Sequence, residues 1–382
     1  SHTGEGLHRS VDPTDSKVYL YSQFEVMDCR RVYACFDQPD IKATFNFVVD
    51  SPTSWTVLST TKAANRVTLD RNTEKGTSSE GVESIDRWTF ETTPVMSTYL
   101  TSLIAGPYAS WKVTRLIDGK HLDLGLYCRQ SIKESLGKDA SYIFDETEKG
   151  FHFYSQCWGV PYPYSKYDQI FVPEYNAGAM ENIANVTIRD SYVFQSKVSQ
   201  ALEDRRITTI LHELAHMWFG DLVTMKWWND LWLNESFAEF MSTLCAAEAT
   251  EWKDEWATFA CGEKNWGQEQ DQLPTTHPIV ADINDISDTE VNFDGITYAK
   301  GAAVLKQLVA YVGRENFFRA IKAYLLAHAY SNATLKDLLS ELNASSGRDL
   351  DSWAKLWLET SGINTLTTKM ETNEDGIITS FK

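Results

Sequence analysis

The sequence has 382 residues, of which 43% are hydrophobic and 23% charged, a balance typical of a globular protein with a large apolar core. Acidic residues number 53 against 35 Lys and Arg, so the net charge at pH 7 is −18. Nucleic acid and anionic membrane surfaces repel so acidic a chain, and we therefore expect neither as a partner. At roughly 150 residues per domain, the length predicts two or three domains.

No run of about 18 apolar residues occurs, so the sequence predicts no transmembrane helix. The first residues, SHTGEGLHRS, are polar and do not resemble a signal peptide. The six cysteines are scattered without a CxxC pair, which is typical of free thiols in a cytosolic protein rather than of a disulfide framework. We therefore expect a cytoplasmic location.

Residues 1–110 are predicted to form β structure. Short runs rich in β-branched and aromatic residues predict strands at 44–49, 55–58, 88–90 and 99–104. A polar stretch at 70–80 predicts a hairpin or loop, and the Gly106-Pro107 pair predicts a boundary between domains.

From about residue 135 onward, apolar residues recur at three- and four-residue spacing, which predicts helices. The predicted helices lie at 207–218, 233–247, 302–312, 317–327, 335–342 and 350–358. The final stretch, 365–382, returns to a β-like alternation. The sequence therefore predicts a β region, then a largely helical region, and then the start of a further β element.

The strongest chemical signal is the segment HELAH at 212–216. Its two histidines, His212 and His216, are four residues apart on one helical face, so both imidazoles can reach one metal ion. Glu213 lies between them, close enough to hold a water molecule on that ion. A zinc ion that activates water needs three protein ligands and an open fourth position, so a third ligand must come from elsewhere.

Glu235 is available as this third ligand, because the interval after His216 is long enough for one connection and a second helix. Glu239 lies one helical turn beyond Glu235 and could accept the remaining N–H of a ligating histidine. A solvated or salt-bridged carboxylate is the alternative interpretation of Glu239.

Four motifs occur in a fixed order along the chain. They are Gln23-Phe24-Glu25 with Arg30 and FDQPD at 36–40; GAMEN at 178–182; HELAHMWFGDLVT at 212–224 with WLNESFAEF at 232–240; and FDGITYAKG at 293–301. In these motifs the chain resembles the M1 family of zinc aminopeptidases, the aminopeptidase N group, and most closely its actinobacteria-like members.

The resemblance implies an α+β fold. An N-terminal antiparallel, saddle-like β-sheet domain would occupy residues 1–106, incomplete at its start. A thermolysin-like, mainly helical zinc metallopeptidase domain would follow at 107–362, and residues 363–382 would begin a truncated β-sandwich domain. In this interpretation the chain is a fragment that lacks the family's C-terminal helical domain.

The resemblance also implies a hydrolytic site with one Zn²⁺ per chain, held by His212, His216 and Glu235. Glu213 would act as the general base. Tyr298 would donate its hydroxyl proton to the oxyanion of the reacting carbonyl group. A tyrosine in an apolar segment that enters a helix usually packs in the core, so this role for Tyr298 depends on the family motif.

The substrates that the resemblance implies are peptides with a free N-terminus, whose α-amino group is cationic at neutral pH. Glu25 and Glu181 are the carboxylates expected to select it, with Gln23 as a hydrogen-bonding neighbour. Ala177 precedes the exopeptidase motif and leaves the size of the first specificity pocket open. The other substrate-binding residues expected from this motif are Gly178, Ala179, Met180 and Asn182.

Two alternatives remain open at this point. A thermolysin-like endopeptidase would share the zinc ligands but would have no need of Glu25 and Glu181. A catalytically weak zinc-binding fragment would keep the whole site and still turn over poorly without the C-terminal domain.

Overall fold

The computed structural model describes residues 1, 3–69 and 84–382. The predicted hairpin or loop at 70–80 lies outside the described residues. Antiparallel sheets come first along the chain, and most of the helices follow, which confirms the predicted order of a β region and a helical region.

Seven strands make up two antiparallel sheets in the N-terminal region. The strands are β1 Gly6–Val11, β2 Val18–Gln23, β3 Val48–Pro52, β4 Thr56–Ser59, β5 Ala63–Leu69, β6 Ile85–Phe90 and β7 Leu103–Gly106. The order is β1-β2-β7-β4 in the larger sheet and β3-β6-β5 in the smaller one. Tyr19 and Tyr21 occupy alternate positions of β2 and are both fully buried, as one face of a strand packed on a core requires.

Two strands begin later in the structure than the sequence predicts. The strand expected at 44–49 begins at Val48, although the carbonyl groups of Phe45 and Phe47 still accept hydrogen bonds from the chain beside them. In the segment 99–104, residues Thr98–Leu100 form a 3₁₀ turn and the strand begins at Leu103. Residues 99–104 read YLTSLI, and burial extends through the turn as well as the strand, so an aromatic and apolar composition does not distinguish the two.

A mixed five-stranded sheet follows, and none of its strands was identified from the sequence; three of them lie in the region that was predicted to be helical. Its strands are β8 Ala109–Ile117, β9 Lys120–Cys128, β10 Lys166–Val172, β11 Ala179–Met180 and β12 Asn185–Arg189, in the order β11-β12-β10-β9-β8. The chain thus leaves one sheet at Gly106 and enters another at Ala109, next to the predicted boundary. The domain boundaries themselves stay predictions.

Ten helices are found in the described residues. They are α1 Lys133–Trp158, α2 Gln200–His216, α3 Trp232–Ala249, α4 Glu255–Cys261, α5 Glu263–Gln270, α6 Ile286–Thr289, α7 Gly301–Val312, α8 Arg314–Ala327, α9 Leu335–Ser346 and α10 Asp351–Trp357. Two short pairs of strands complete the chain: β13 Val223–Met225 with β14 Ser331–Ala333, and β15 Met370–Thr372 with β16 Ile378–Phe381. Across 1, 3–69 and 84–382, every helix is too short or too polar to cross a membrane.

The helices α1, α2 and α3 pack against one another at the centre of the helical region. Gly150 of α1 allows a close approach, since a Cβ atom there would lie 2.7 Å from Leu211 and 2.8 Å from Leu214 of α2. The first fifteen residues of α3, 232–246, are all buried, so this helix is enclosed on every side. A tightly enclosed pair of helices holds the side chains between them in fixed positions.

Candidate active site

His212 and His216 of α2 face Glu235 of α3. The Nε2 atoms of the two histidines lie 3.2 Å and 3.3 Å from Oε2 of Glu235, and all three side chains are buried. One ligating atom from each lies within 4.8 Å of the others, a span that one metal ion can bridge. The structure therefore brings together the three residues that were predicted as metal ligands.

The second nitrogen of each imidazole has its own partner. Nδ1 of His212 lies 3.1 Å from Oε2 of Glu239, and Nδ1 of His216 lies 2.9 Å from the carbonyl oxygen of Phe219. Acceptors at both Nδ1 atoms favour the tautomer in which Nε2 presents a lone pair to a metal ion. Burial alone would raise the pKa of Glu235, but His216 and His212 lower it to about 2, so this carboxylate is ionised. The residues thus fit a divalent cation of the zinc type.

Glu213 lies beside this cluster with a proton-accepting oxygen available. Its Oε2 atom is buried and has no hydrogen-bond partner among the described residues. Burial raises the pKa of Glu213, the two histidines oppose this, and the carboxylates of Glu181 and Glu235 add to it, giving a pKa of about 8. A carboxylate with a pKa near neutrality can both take and return a proton.

Glu25 and Glu181 place two further carboxylates next to Glu235. One oxygen of each of these three residues lies within 4.8 Å of the others. Glu25 and Glu181 each have a buried oxygen, Oε1, without a partner in the described part of the chain. Burial raises the pKa of both groups, and repulsion between them raises that of Glu25 further. A cationic group between them would relieve both the repulsion and the missing hydrogen bonds.

Tyr298 lies in a π-helical turn, Ile296–Lys300, that leads into α7. Its ring is stacked on that of His212, with centroids 5.9 Å apart and planes inclined by 15°. Burial and the surrounding carboxylates raise the pKa of Tyr298 well above its usual value, so the phenol keeps its proton and can donate it. Ser236 of α3 fixes the turn, because its hydroxyl donates to the carbonyl of Thr297 at 2.5 Å.

These side chains line one cavity of about 580 Å³. The predicted site residues on its wall are Gln23, Glu25, Gly178, Ala179, Glu181, His212, Glu213, His216, Glu235, Glu239 and Tyr298. Met180 and Asn182 are not on the wall. Met180 is buried with its sulfur 3.6 Å from Nε2 of Gln23, and the buried side chain of Asn182 donates to Thr187 at 3.2 Å. Their assignment to substrate binding stays a prediction.

The cavity wall also contains residues that sequence reasoning missed. Arg205 donates to Glu263 at 2.9 Å, and Trp266 lies 6.5 Å from the ring of Tyr298. Arg205 could have been found, since it lies two turns before His212 on the same helical face. Trp266 gives no such signal. Ala177, which was expected beside the first specificity pocket, does line the cavity.

Comparison with known proteins identifies a family for this chain. The family model described as "Peptidase family M1 domain" matches residues 142–357, and "Peptidase M1 N-terminal domain" matches residues 5–100. The chain is 55% identical to Aminopeptidase N of Streptomyces lividans, over 100% of the chain and 42% of that protein. It is 34% identical to Aminopeptidase M1 of Arabidopsis thaliana, over 96% of the chain and 40% of that protein.

A further relative is Tricorn protease-interacting factor F2 of Thermoplasma volcanium, which is 35% identical over 98% of the chain and 44% of its own length. The chain therefore spans about two fifths of the length of these relatives. The family model alone covers more than half of the chain. The chain belongs to peptidase family M1.

Proposed function

We propose that this chain carries the catalytic site of a zinc-dependent aminopeptidase, which removes N-terminal amino acids from peptides. The observation that supports this most strongly is the pair Glu25 and Glu181. Each has a carboxylate oxygen within 4.8 Å of one of Glu235, and each has a buried oxygen, Oε1, without a hydrogen-bond partner among the described residues. Two carboxylates at this position suit the positive charge of a free α-amino group. An endopeptidase binds uncharged peptide at the same place and gains nothing from them.

In this proposal His212, His216 and Glu235 hold one zinc ion, and Glu239 orients His212. A bound zinc ion lowers the pKa of its water towards about 7 and polarises the scissile carbonyl group. Two imidazoles and one carboxylate are a ligand set typical of catalytic zinc sites.

Glu213 and Tyr298 would carry the proton transfers. Glu213 takes a proton from the attacking water and delivers it to the leaving nitrogen as the peptide bond breaks. Tyr298, held protonated by its surroundings, donates a hydrogen bond to the substrate's carbonyl oxygen as negative charge develops there. The ring of Tyr298 is stacked on that of His212 and lines the same cavity as His216 and Glu235.

The substrate's amino end would lie between Glu25 and Glu181, with Gln23 beside them. Gly178 and Ala179 would run along the substrate backbone, where a small side chain permits close approach. A Cβ atom at Gly178 would meet no atom within 4 Å, so this position is open towards the cavity. Met180 and Asn182, both buried, would act by holding the segment 178–182 in place.

A pair of chromogenic substrates tests this proposal. The chain is assayed on an aminoacyl-anilide with a free amino group and on its N-acetylated form, before and after chelation and after zinc is restored. We expect hydrolysis of the free-amino substrate only, lost on chelation and regained with zinc. Cleavage of both substrates would indicate an endopeptidase. Metal binding without cleavage of either would identify a catalytically weak fragment.

Peptides with free N-termini are the partners that we propose, with neither nucleic acid nor membrane surfaces among them. The net charge of −18 supports this exclusion, because like charges repel. We also retain a cytoplasmic location as a proposal, supported by the six cysteines, which are all free thiols.

A further inference from the structure

A second group of metal-ligating side chains lies outside the cavity, in the loop between β2 and β3. The Sγ atoms of Cys29 and Cys35 and a carboxylate oxygen of Asp37 all lie within 4.8 Å of one another. Cys29 is fully buried, Cys35 and Asp37 are half-buried, and both cysteines are free thiols. The M1 site described above uses none of these residues.

We propose that Cys29, Cys35 and Asp37 form a second metal site, which takes a divalent cation with affinity for sulfur such as Zn²⁺ or Cd²⁺. Two thiolates and a carboxylate are a ligand set that zinc accepts in proteins. The chain would then bind two ions, one at His212, His216 and Glu235 and one in this loop.

The distances favour a metal ion over a disulfide bond. Zinc–sulfur bonds of about 2.3 Å at a tetrahedral angle place two sulfur atoms about 3.8 Å apart. The side chains therefore need to close by at most about 1 Å to hold an ion. A disulfide would require the sulfur atoms of Cys29 and Cys35 to approach to about 2.05 Å and would also require an oxidant.

The surroundings hold the carboxylate of Asp37 in position. Its Oδ2 atom accepts a hydrogen bond from the backbone N–H of Arg30 at 3.0 Å, and its Oδ1 atom accepts one from Thr98 at 2.6 Å. The sulfur of Cys29 lies 3.8 Å from the hydroxyl of Thr101. Hydrogen bonds of this kind orient ligands before an ion arrives, and each oxygen of Asp37 retains a lone pair for the metal.

Binding at this site is a proton exchange rather than a redox step. Two metal–sulfur bonds form, and the two S–H protons of Cys29 and Cys35 leave to solvent. The partial exposure of Cys35 provides the route by which an ion enters and water fills the remaining coordination position.

The proposed second metal site lies next to the wall of the active-site cavity. Glu25, Val26 and Asp28 line that cavity and lie directly before Cys29 in the same connection. An ion that joins Cys29 to Asp37 would hold the segment that presents Glu25. We therefore expect the second ion to stiffen the wall of the cavity.

Cobalt titration of the metal-free chain tests the proposal, because only the second site contains sulfur. We expect two equivalents of Co²⁺ to bind, with a thiolate-to-cobalt charge-transfer band that accounts for one of them. Cys35→Ser should abolish this band and remove one equivalent. Cys157→Ser, a matched change at another half-buried free thiol in α1, should retain both.

The visible bands of cobalt at His212, His216 and Glu235 serve as an internal control for folding in each variant. The absence of a charge-transfer band in the parent chain, with those visible bands present, would overturn the proposal. A charge-transfer band in Cys35→Ser as strong as that of the parent chain would also overturn it. A thiol assay that finds Cys29 and Cys35 oxidised together instead of metal-bound would also overturn it.

Discussion

The Nδ1 atom of His212 lies 3.1 Å from Oε2 of Glu239, while Nε2 of the same ring faces Glu235. The two glutamates are one turn apart on α3, so a single helix supplies both a metal ligand and the support for another. A carboxylate at Nδ1 fixes the imidazole tautomer and increases the basicity of Nε2. Metal affinity in this chain should therefore depend on a residue that does not touch the ion.

Replacing Glu239 tests this dependence. We expect Glu239→Ala to weaken metal binding about 10- to 100-fold, because the loss of a supporting carboxylate leaves His212 free to rotate or change tautomer. Competition with a chromophoric chelator measures the change. Glu290→Ala is the matched control, since Glu290 is an exposed carboxylate on the same cavity wall. Equal affinities in the two variants would show that Glu239 gives His212 no support.

The hydroxyl of Tyr298 is expected to act in the chemical step and not in binding. Tyr298→Phe keeps the ring that stacks on His212 and removes only the donor. We expect kcat to fall about 100- to 1,000-fold with little change in KM or in metal content. Steady-state kinetics with metal analysis measures this. An increase in KM with an unchanged kcat in Tyr298→Phe would show that the hydroxyl acts in substrate binding and not in the chemical step.

Gly301 and Ser236 are predicted to depend on each other. A Cβ atom at Gly301 would lie 1.9 Å from Oγ of Ser236 and 2.7 Å from its Cβ, a distance that real atoms do not adopt. We expect Gly301→Ala to cost about 1–3 kcal/mol in the free energy of unfolding and to displace the turn that carries Tyr298. Chemical denaturation and kcat measure the two effects.

Adding Ser236→Gly should restore much of what Gly301→Ala loses, because it removes both of the overlapping atoms. The single variant Ser236→Gly serves as the control for the lost hydrogen bond to Thr297. If the changes in unfolding free energy of the two single variants simply add in the double variant, the side chains at positions 236 and 301 do not clash.

Stability should fall with rising pH through a pair of acids away from the metal ligands. Burial, and then a hydrogen bond to Asp204, raise the pKa of Glu255 from 4.5 to about 9. The folded chain keeps this proton above pH 4.5, where the unfolded chain releases it, so the contribution to stability decreases between these two pKa values. We expect Glu255→Gln to lose less stability than the parent between about pH 6 and about pH 9.

Thermal unfolding of chains with the same metal content, recorded across this pH range, measures the effect. Glu134→Gln, at an exposed position of α1, provides the comparison. Parallel pH profiles for the parent and Glu255→Gln would show that the acid pair does not hold the proton.

Much of the helical region and of the site could be predicted from the sequence. The helices α2 and α3 were predicted because their apolar residues follow the helical period, and the ligand spacing then placed His212, His216 and Glu235 in reach of one ion. Glu25 was identified through its resemblance to the family motif. Its position beside Glu181 depends on contacts between distant parts of the chain, which local patterns do not encode.

The strands of the mixed sheet were not predicted, and β10 shows why. All seven residues of β10 are buried, including Lys166, Asp168 and Gln169, so the strand has neither alternation nor a continuous apolar run. The ammonium group of Lys166 is paired with Asp168 at 2.7 Å and donates to the carbonyl of Ala184. The polar side chains of this strand are buried because distant parts of the chain pair with them. Hydropathy patterns do not include such pairs and therefore predict a loop at this strand.

The variant Glu181→Gln shows whether Glu25 and Glu181 select a free amino end. The measurement is kcat/KM for an aminoacyl-anilide and its N-acetylated form, in the parent and in the variant. We predict that the parent cleaves only the free-amino substrate and that Glu181→Gln loses about 100-fold on it, about 3 kcal/mol, with the metal still bound at His212. Equal turnover of the two substrates by the parent, or full activity in Glu181→Gln, would show that these carboxylates do not select the amino end.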